Sequence, residues 1–379
     1  MNIKQRITHN LLNIPGWHTR RRILVIESDD WGSVRMPSKE VYDALLKHGL
    51  HVDKDPYCRY DNLATAEDME ALYDTLRSVK DKNGRSAVLT ANAVVANPVF
   101  DKIKESGFKE YFYEPFTETL KRYPQHTGAY GMWKQGIEEG IFHPQFHGRE
   151  HLNVKKWLDV LQSGEEATCL AFEHGTFGLT SDVSPSIKTN YMGAFDSCLP
   201  VDLDFYKQSI QEGLKLFEQL IGYPSESFIA TTYTWSPKIE PFLADCGVKY
   251  LQGMVHQRVP QDGGENFTYK KNNYMGHKSH ARLTYLMRNC YFEPSQSAKD
   301  WVSDCINRIN IAYRWRKPAV ISTHRLNFIG NIVESNRTNN LRMLSQLLNI
   351  VLKEYPDVEF MSSDQLGRTI QSNQRYDKE

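Results

Sequence analysis

The chain has 379 residues, of which 40% are hydrophobic and 24% charged, and its 46 basic and 46 acidic side chains cancel to a formal net charge of zero. This length suits one large α/β domain or two medium ones, and the neutral balance excludes recruitment of nucleic acid by a global positive field. The six cysteines show no CxxC spacing, which is typical of reduced thiols. No secretory signal or membrane span is predicted, so we expect a cytoplasmic protein.

The first 21 residues are predicted to form a separate N-terminal segment. Residues 3–14 alternate apolar with basic or polar side chains at roughly helical spacing, and Arg20, Arg21 and Arg22 follow. Two interpretations stay open. A helix packed on the domain is the one we favour, and a peripheral contact between this basic segment and a membrane surface is the other.

Two adjacent carboxylates follow the first strong strand. Residues 23–26 are apolar without alternation, as in a strand buried on both faces, and Asp29 and Asp30 come shortly after. Ligands bind at the carboxyl ends of parallel strands, so one carboxylate could hold a cation while the other handles a proton. The alternative is that one caps the next helix and the other is solvated.

Strands and helices then alternate along the chain. A Thr65-x-x-Asp68 pattern predicts a capped helix start. The further predicted strands are 87–89, 141–147, 227–230, 248–251, 319–322 and 358–361. The further predicted helices begin near 41, 65, 154, 203, 237, 299 and 341. This alternation predicts a mainly parallel sheet, closed or nearly closed into a barrel.

One domain is predicted over residues 22–365, with a C-terminal tail at 366–379. Three stretches without strong periodicity are expected as insertions: a loop-rich wall near 98–135, a flap near 173–200, and a hairpin or excursion near 257–283.

Histidines stand at two further predicted strand ends. His147 and His151 are separated by three residues, and His324 follows the strand 319–322. Imidazole is a common ligand of zinc and similar ions, and two histidines with a distant carboxylate make a ligand set with open positions. His143 is an alternative ligand, so the choice of histidine pair stays open at this point.

These features resemble the polysaccharide deacetylases, metal-dependent carbohydrate esterases with a distorted (β/α) barrel. The resemblance runs with gaps from about residue 22 to 365 and includes Tyr233-x-Trp235-Ser236-Pro237 before a helix. It implies about seven parallel strands in a single distorted barrel with loop insertions. It also implies one divalent metal ion, zinc in the first place, with cobalt, nickel, iron or manganese as alternatives.

The resemblance implies a role for each residue. Asp29 would be the general base and His324 the general acid, with Asp30, His147 and His151 as metal ligands. The side chains expected to bind substrate, some of them as sugar-stacking walls or alternatively as core residues, are Trp31, Tyr233, Trp235 and Arg325.

Two expected partners are missing from the sequence pattern. An arginine that orients the base in the family is replaced by residues 230–233, and four arginines elsewhere are candidates to substitute for it: Arg35, Arg282, Arg288 and Arg325. For the acid that tunes His324, Asp300 is the best candidate.

The predicted function is removal of N- or O-acetyl groups from a carbohydrate or polysaccharide precursor. The chemistry would use metal-activated water, an aspartate base and a histidine acid. Two alternatives stay open: hydrolysis of another amide C–N bond on the same metal centre, and a carbohydrate-binding barrel that has lost catalysis.

Overall fold

The computed structural model describes residues 3–188, 190–270 and 273–376. Its strands, in chain order, are β1 (Ile23–Trp31), β2 (Leu89–Val94), β3 (Ala96–Pro98), β4 (Tyr113–Pro115), β5 (Phe142–Gly148), β6 (Ser227–Phe228), β7 (Tyr250–Gly253), β8 (Gln257–Pro260), β9 (Phe267–Lys270), β10 (Thr284–Met287), β11 (Cys290–Tyr291), β12 (Ala319–His324) and β13 (Glu359–Met361).

Helices separate most of these strands. They are α1 (Ile3–Leu12), α2 (Lys39–Lys47), α3 (Pro56–Tyr60), α4 (Ala66–Arg77), α5 (Phe100–Glu105), α6 (Phe116–Arg122), α7 (Ala129–Glu138), α8 (Val154–Gln162), α9 (Glu166–Glu173), α10 (Pro200–Ile221), α11 (Glu240–Asp245), α12 (Trp301–Arg314), α13 (Glu334–Glu354) and α14 (Ser363–Tyr376). Short 3₁₀ turns lie between some of them. No helix among the described residues is long and apolar enough to cross a membrane.

The main sheet is parallel and curls into a half-barrel. Eight of its strands run in the order β10-β7-β6-β5-β2-β1-β12-β11, and a ninth, β13, pairs with β1. All nine residues of β1 are buried, because it has neighbours on both edges and helices over it. The predicted single distorted (β/α) barrel is therefore confirmed.

Two apolar clusters hold the fold together. The larger lies between the sheet and the helices outside it, and it includes β1, β2 and β12. The smaller surrounds Trp157 and Phe172 and takes in Phe177, Leu179 and Tyr191 from the stretch 173–200. This second cluster anchors that stretch, which forms no helix or strand between α9 and α10 in its described residues.

The other two predicted insertions have regular structure. The stretch 98–135 contains α5, α6 and part of α7, and the stretch 257–283 contains the antiparallel hairpin β8–β9. Within the predicted C-terminal tail, the described residues belong to α14, whose Leu366 and Ile370 are buried in the larger cluster. Thr65 and Asp68 form the predicted capping box of α4.

Candidate active site

A cavity of about 340 Å³ lies at the carboxyl ends of the central strands. Side chains from β1, β5 and β12 reach it, together with residues of the stretch 173–200. The five residues predicted to carry the chemistry all line it: Asp29, Asp30, His147, His151 and His324. The structure thus brings together three strand ends that lie far apart in sequence, as the parallel sheet requires.

A bulge in β1 lets both carboxylates face this cavity. The pairing of β1 with β2 shifts register between Ser28 and Trp31, and Asp30 adopts a φ of 74°. Neighbouring residues of a regular strand point to opposite faces, whereas a bulge with a left-handed residue redirects one of them. Such a backbone costs roughly 1–3 kcal/mol, a strain that is concentrated at functional sites.

Asp30, His147 and His151 form a buried cluster. Oδ1 of Asp30 lies 3.5 Å from Nε2 of His147 and 3.2 Å from Nε2 of His151. Nδ1 of His147 lies 2.9 Å from the carbonyl oxygen of Ile229, which can only accept a hydrogen bond. In the neutral ring, Nδ1 therefore carries the proton, and the Nε2 lone pair points towards Asp30.

This cluster fits a metal ion. The three ligand atoms lie within 4.8 Å of one another, and Oδ1 of Asp30 is buried without a hydrogen-bond partner. Burial and the neighbouring Arg35 hold the pKa of His151 well below 6.5, so this imidazole is neutral. An imidazole lone pair facing a carboxylate oxygen is repulsive unless a cation lies between them. Two imidazoles and one carboxylate could thus hold a divalent ion and leave coordination positions open.

Arg35 binds the other oxygen of Asp30. Its Nη2 atom lies 3.1 Å from Oδ2 of Asp30, and both side chains are buried. Burial by itself would raise the pKa of Asp30, but the charge of Arg35 holds this pKa well below its usual range. Asp30 is therefore ionised and directs one free oxygen, Oδ1, at the two imidazoles.

Asp29 has a different set of partners. Arg288 donates from Nη1 to Oδ2 at 2.7 Å and from Nη2 to Oδ1 at 2.6 Å, and Asn92 donates to Oδ1 at 2.7 Å. Burial opposes ionisation of Asp29, yet Arg288 outweighs it and holds the pKa at about 2. Of the four candidate arginines, Arg288 is thus the one that binds Asp29, from the end of β10. Glu27 accepts from its Nε at 2.6 Å and fixes the guanidinium.

His324 lines the same cavity, between the carboxylates of Asp29 and Glu293. Its Nε2 is 3.8 Å from Oδ2 of Asp29, and its Nδ1 is 2.6 Å from Oε1 of Glu293. Asn327 donates to the other Glu293 oxygen at 2.8 Å. Burial would lower the pKa of His324, but Glu293 and then Asp29 raise it to about 9. The ring is therefore protonated at neutral pH.

The four residues predicted to bind substrate separate into two groups. Tyr233 lines the cavity, and its hydroxyl group accepts from Arg288 at 2.8 Å. The other three are in the core: Trp31 packs edge-on against Phe142, Trp235 donates to Glu240 at 3.2 Å, and Arg325 donates to Asp61 at 2.9 Å. Each is at most 1% exposed. The structure therefore does not bring Trp31, Trp235 or Arg325 to the cavity wall.

Two other sequence candidates also lie elsewhere. His143 stands at the beginning of β5, where its Nε2 is 2.9 Å from Asp364 and its ring stacks on Tyr223. Asp300 caps α12 by accepting from the backbone nitrogen of Ser303. Glu293, and not Asp300, is the acid beside His324.

Sequence reasoning missed Glu293 and the role of Asn92. Residues 290–292 are apolar and precede Glu293 directly, which is the same signal that marked Asp29 and His324. That run is too short for periodicity to identify it as a strand. Asn92 lies beyond the predicted strand 87–89, but β2 continues to Val94, so Asn92 acts from within the strand.

Comparisons with known proteins found solved structures similar to this chain, but no matching family and no matching curated protein. The solved structures it resembles include a protein from Mycobacterium smegmatis provisionally named a polysaccharide deacetylase, with a TM-score of 0.48 and 11% identity over 95% of this chain and 94% of that one. A second, from Parabacteroides distasonis, is provisionally named a glycoside hydrolase/deacetylase, with a TM-score of 0.46 and 8% identity over 93% and 71%.

A third similar structure is the α-amylase AmyC from Thermotoga maritima, with a TM-score of 0.44 and 10% identity over 91% of this chain and 74% of that one. Further matching structures are named deacetylases. Likeness at these identities concerns the fold alone, and no argument about the chemistry of this chain rests on it.

Proposed function

We propose that this chain is a metal-dependent hydrolase that removes N- or O-linked acetyl groups from a carbohydrate. One observation carries the proposal: Asp29, bound by Arg288, and His324, bound by Glu293, face each other beside the Asp30–His147–His151 cluster. Hydrolysis of an unactivated acyl group needs both a base for the attacking water and an acid for the leaving group.

The metal ligands are proposed to be Asp30, His147 and His151, with zinc expected in the first place. A bound ion would polarise the acyl oxygen and acidify water in the cavity. The contact between His147 and Ile229 keeps one imidazole oriented for this task, and Arg35 keeps Asp30 ionised.

Asp29 is proposed as the base. With a pKa of about 2, its carboxylate is ionised throughout the physiological range but only weakly basic. Proton transfer from ordinary water to such a group is steeply unfavourable, and an ion held by Asp30, His147 and His151 would supply the more acidic water that this base needs. Arg288 and Asn92 hold the carboxylate in place, which limits its motion during the transfer.

His324 is proposed as the acid. Its protonated ring carries a hydrogen on Nε2, on the side that faces Asp29 and the cavity, while Glu293 binds Nδ1. This hydrogen can pass to the nitrogen or oxygen atom that leaves the acyl carbon. An amine departs poorly without such a proton, whereas an activated ester does not need it.

The cavity walls suit a sugar unit. Tyr57 and Tyr233 supply ring surfaces, and Thr180, Asn190 and Gln296 supply hydrogen-bonding groups. Carbohydrate sites combine these two kinds of surface because sugars have both apolar faces and hydroxyl edges. We therefore propose Tyr233, of the side chains predicted from the sequence, as a substrate contact.

The decisive experiment compares two histidine variants. Purified without chelator, the wild-type chain should hold about one divalent ion per chain and release acetate from acetylated sugars. His147→Ala should lose both properties, because it removes a proposed ligand. His143→Ala is the matched control and should retain both. Elemental analysis and an acetate assay measure the two properties, and stoichiometric metal without any acetate release would contradict the proposed reaction but not the metal site.

A further inference from the structure

Helix α1 turns its apolar row away from the domain. Ile3, Ile7 and Leu11 are 81%, 56% and 60% exposed, and Ile14 just beyond the helix is 42% exposed. These four make up half of the eight large hydrophobic side chains that are exposed in the described part of the chain. Side chains four residues apart lie on one face of an α-helix, and a surface helix normally directs that face to the core. Here no residue in the described part of the chain covers that face.

The polar side of α1 holds it on the domain. Asn10 accepts a hydrogen bond from Nε1 of Trp315 at 2.9 Å, and Asn13 accepts one from Asn289 at 2.9 Å. His9 contacts the guanidinium of Arg308. Burial and, second, the charge of Arg308 lower the pKa of His9 to about 4. The fold itself therefore determines that the apolar row faces outward.

Positive charge borders this row. Lys4 and Arg6 are exposed and lie on either flank of it, and Arg20 is exposed shortly after the helix. The first acidic residue of the whole chain is Glu27. An apolar row bordered by cations, without acids, matches the surface of an anionic membrane.

We propose that α1 is a docking element for anionic lipid bilayers. Ile3, Ile7 and Leu11 would enter the boundary between headgroups and acyl chains, while Lys4 and Arg6 contact lipid phosphates. The charge pattern selects a membrane over a second copy of the chain, because two copies of this face would bring the same cations together. This inference is independent of the proposed hydrolase activity.

Vesicle sedimentation with the full chain tests the proposal. The wild type should sediment with vesicles of phosphatidylcholine mixed with phosphatidylglycerol, and far less with pure phosphatidylcholine. The combined variant Ile3→Gln, Ile7→Gln, Leu11→Gln should lower the partition coefficient by about tenfold or more, since it removes the apolar row yet keeps helix-forming residues. Lys4→Gln and Arg6→Gln should each lower it by about fivefold at low salt.

Matched controls come from exposed apolar residues elsewhere. Val201 and Tyr269 are each 64% exposed, and Val201→Gln and Tyr269→Gln should bind vesicles like the wild type. All variants should keep the wild-type melting temperature, which shows that they are folded. Absence of wild-type binding to anionic vesicles would overturn the proposal. A second result would also overturn it: light scattering shows that the wild type self-associates and the apolar-row variant does not, while both bind vesicles equally. The face would then be an interface between copies of the chain.

Discussion

Asp29 and Asp30 are adjacent in sequence but differ in every contact that determines their chemistry. Both oxygens of Asp29 accept hydrogen bonds from Arg288. Asp30 has one oxygen bound by Arg35 and the other facing two imidazoles without a hydrogen bond. A carboxylate with one free oxygen can bind a cation, whereas one held by a guanidinium at both oxygens can exchange a proton without moving. The two residues are therefore expected to fail in different ways.

Neutralising each aspartate in turn tests this difference. Asp30→Asn should lose the metal and all turnover, because a neutral amide is a far weaker ligand than a carboxylate. Asp29→Asn should retain the metal but lose about 10²–10⁴-fold in kcat, the usual contribution of general acid–base catalysis. Elemental analysis and acetate release distinguish the two variants. Full activity of Asp29→Asn on a verified substrate would refute its role as the base.

Glu293 is expected to set the alkaline limit of activity. It raises the pKa of His324 to about 9, so the ring stays protonated below that pH and loses its proton above it. Glu293→Gln removes the charge that favours protonation and should move the alkaline limb of the pH–rate profile at least about one unit lower. Asp300→Asn, the other acid considered from the sequence, is the control and should leave the limb in place. An unchanged limb in Glu293→Gln would show that Glu293 does not tune His324.

At the scale of elements, the turn after β1 depends on Gly32. This residue has a φ of 84°, and a Cβ at this position would lie 2.3 Å from the carbonyl oxygen of Val94. That oxygen belongs to the end of β2, so the close approach of the two strand ends requires a residue without a side chain. The bulge at Asp30 lies two residues earlier, and the turn thus helps to keep both carboxylates at the cavity.

Gly32→Ala should therefore destabilise the protein by about 3 kcal/mol or more, because backbone strain and a backbone clash add together. Gly49→Ala is a matched control: Gly49 has a φ of 86° but no atom within 4 Å of the added Cβ, so strain alone should cost about 1–2 kcal/mol. Urea unfolding of both variants measures the difference. Equal decreases in the free energy of unfolding for the two variants would mean that the close approach of β1 and β2 tolerates a methyl group.

At the scale of the whole molecule, an ion pair ties the N-terminal segment to the sheet. Arg21 donates to both oxygens of Glu359 in β13, at 2.9 and 2.6 Å, and Lys82 lies 3.0 Å from the same carboxylate. The hydrogen bond from Arg21, assisted by Lys82, lowers the pKa of Glu359 from 4.5 to about 2. A lowered pKa in the folded state stabilises the fold above the unfolded pKa, and this contribution is lost as the pH falls towards 2.

Glu359→Gln should lower the free energy of unfolding by about 1 kcal/mol at neutral pH, a modest figure because Arg21 is partly exposed and screened by solvent. The difference between wild type and variant should shrink as the pH falls below about 4.5, the ordinary pKa of the carboxyl group. Denaturant unfolding at a series of pH values measures it. A difference that is constant from neutral to acidic pH would show that the charge of Glu359 contributes nothing.

The sequence by itself pointed to five residues that the structure gathers around one cavity. A run of apolar residues followed by Asp29, His147 or His324 is a local signal, and a parallel sheet collects the ends of its strands at one edge. The mainly parallel, barrel-like sheet was predicted from the same alternation of strands and helices, and the resemblance to a known family implied its distorted form. These features could be predicted because they depend on neighbouring residues and on general rules of topology.

Only the tertiary structure decided which partners those residues have. Arg288 and Glu293 follow strands of four and two residues, which are too short for periodicity to reveal, and both reach the site across the sheet. Trp31 and Trp235 lie in the core, and the apolar row of α1 faces outward. Neither could be predicted, because a periodic pattern indicates which side chains share a face but not whether that face contacts the core or the solvent. The surroundings of such a face depend on packing between segments that are distant in sequence.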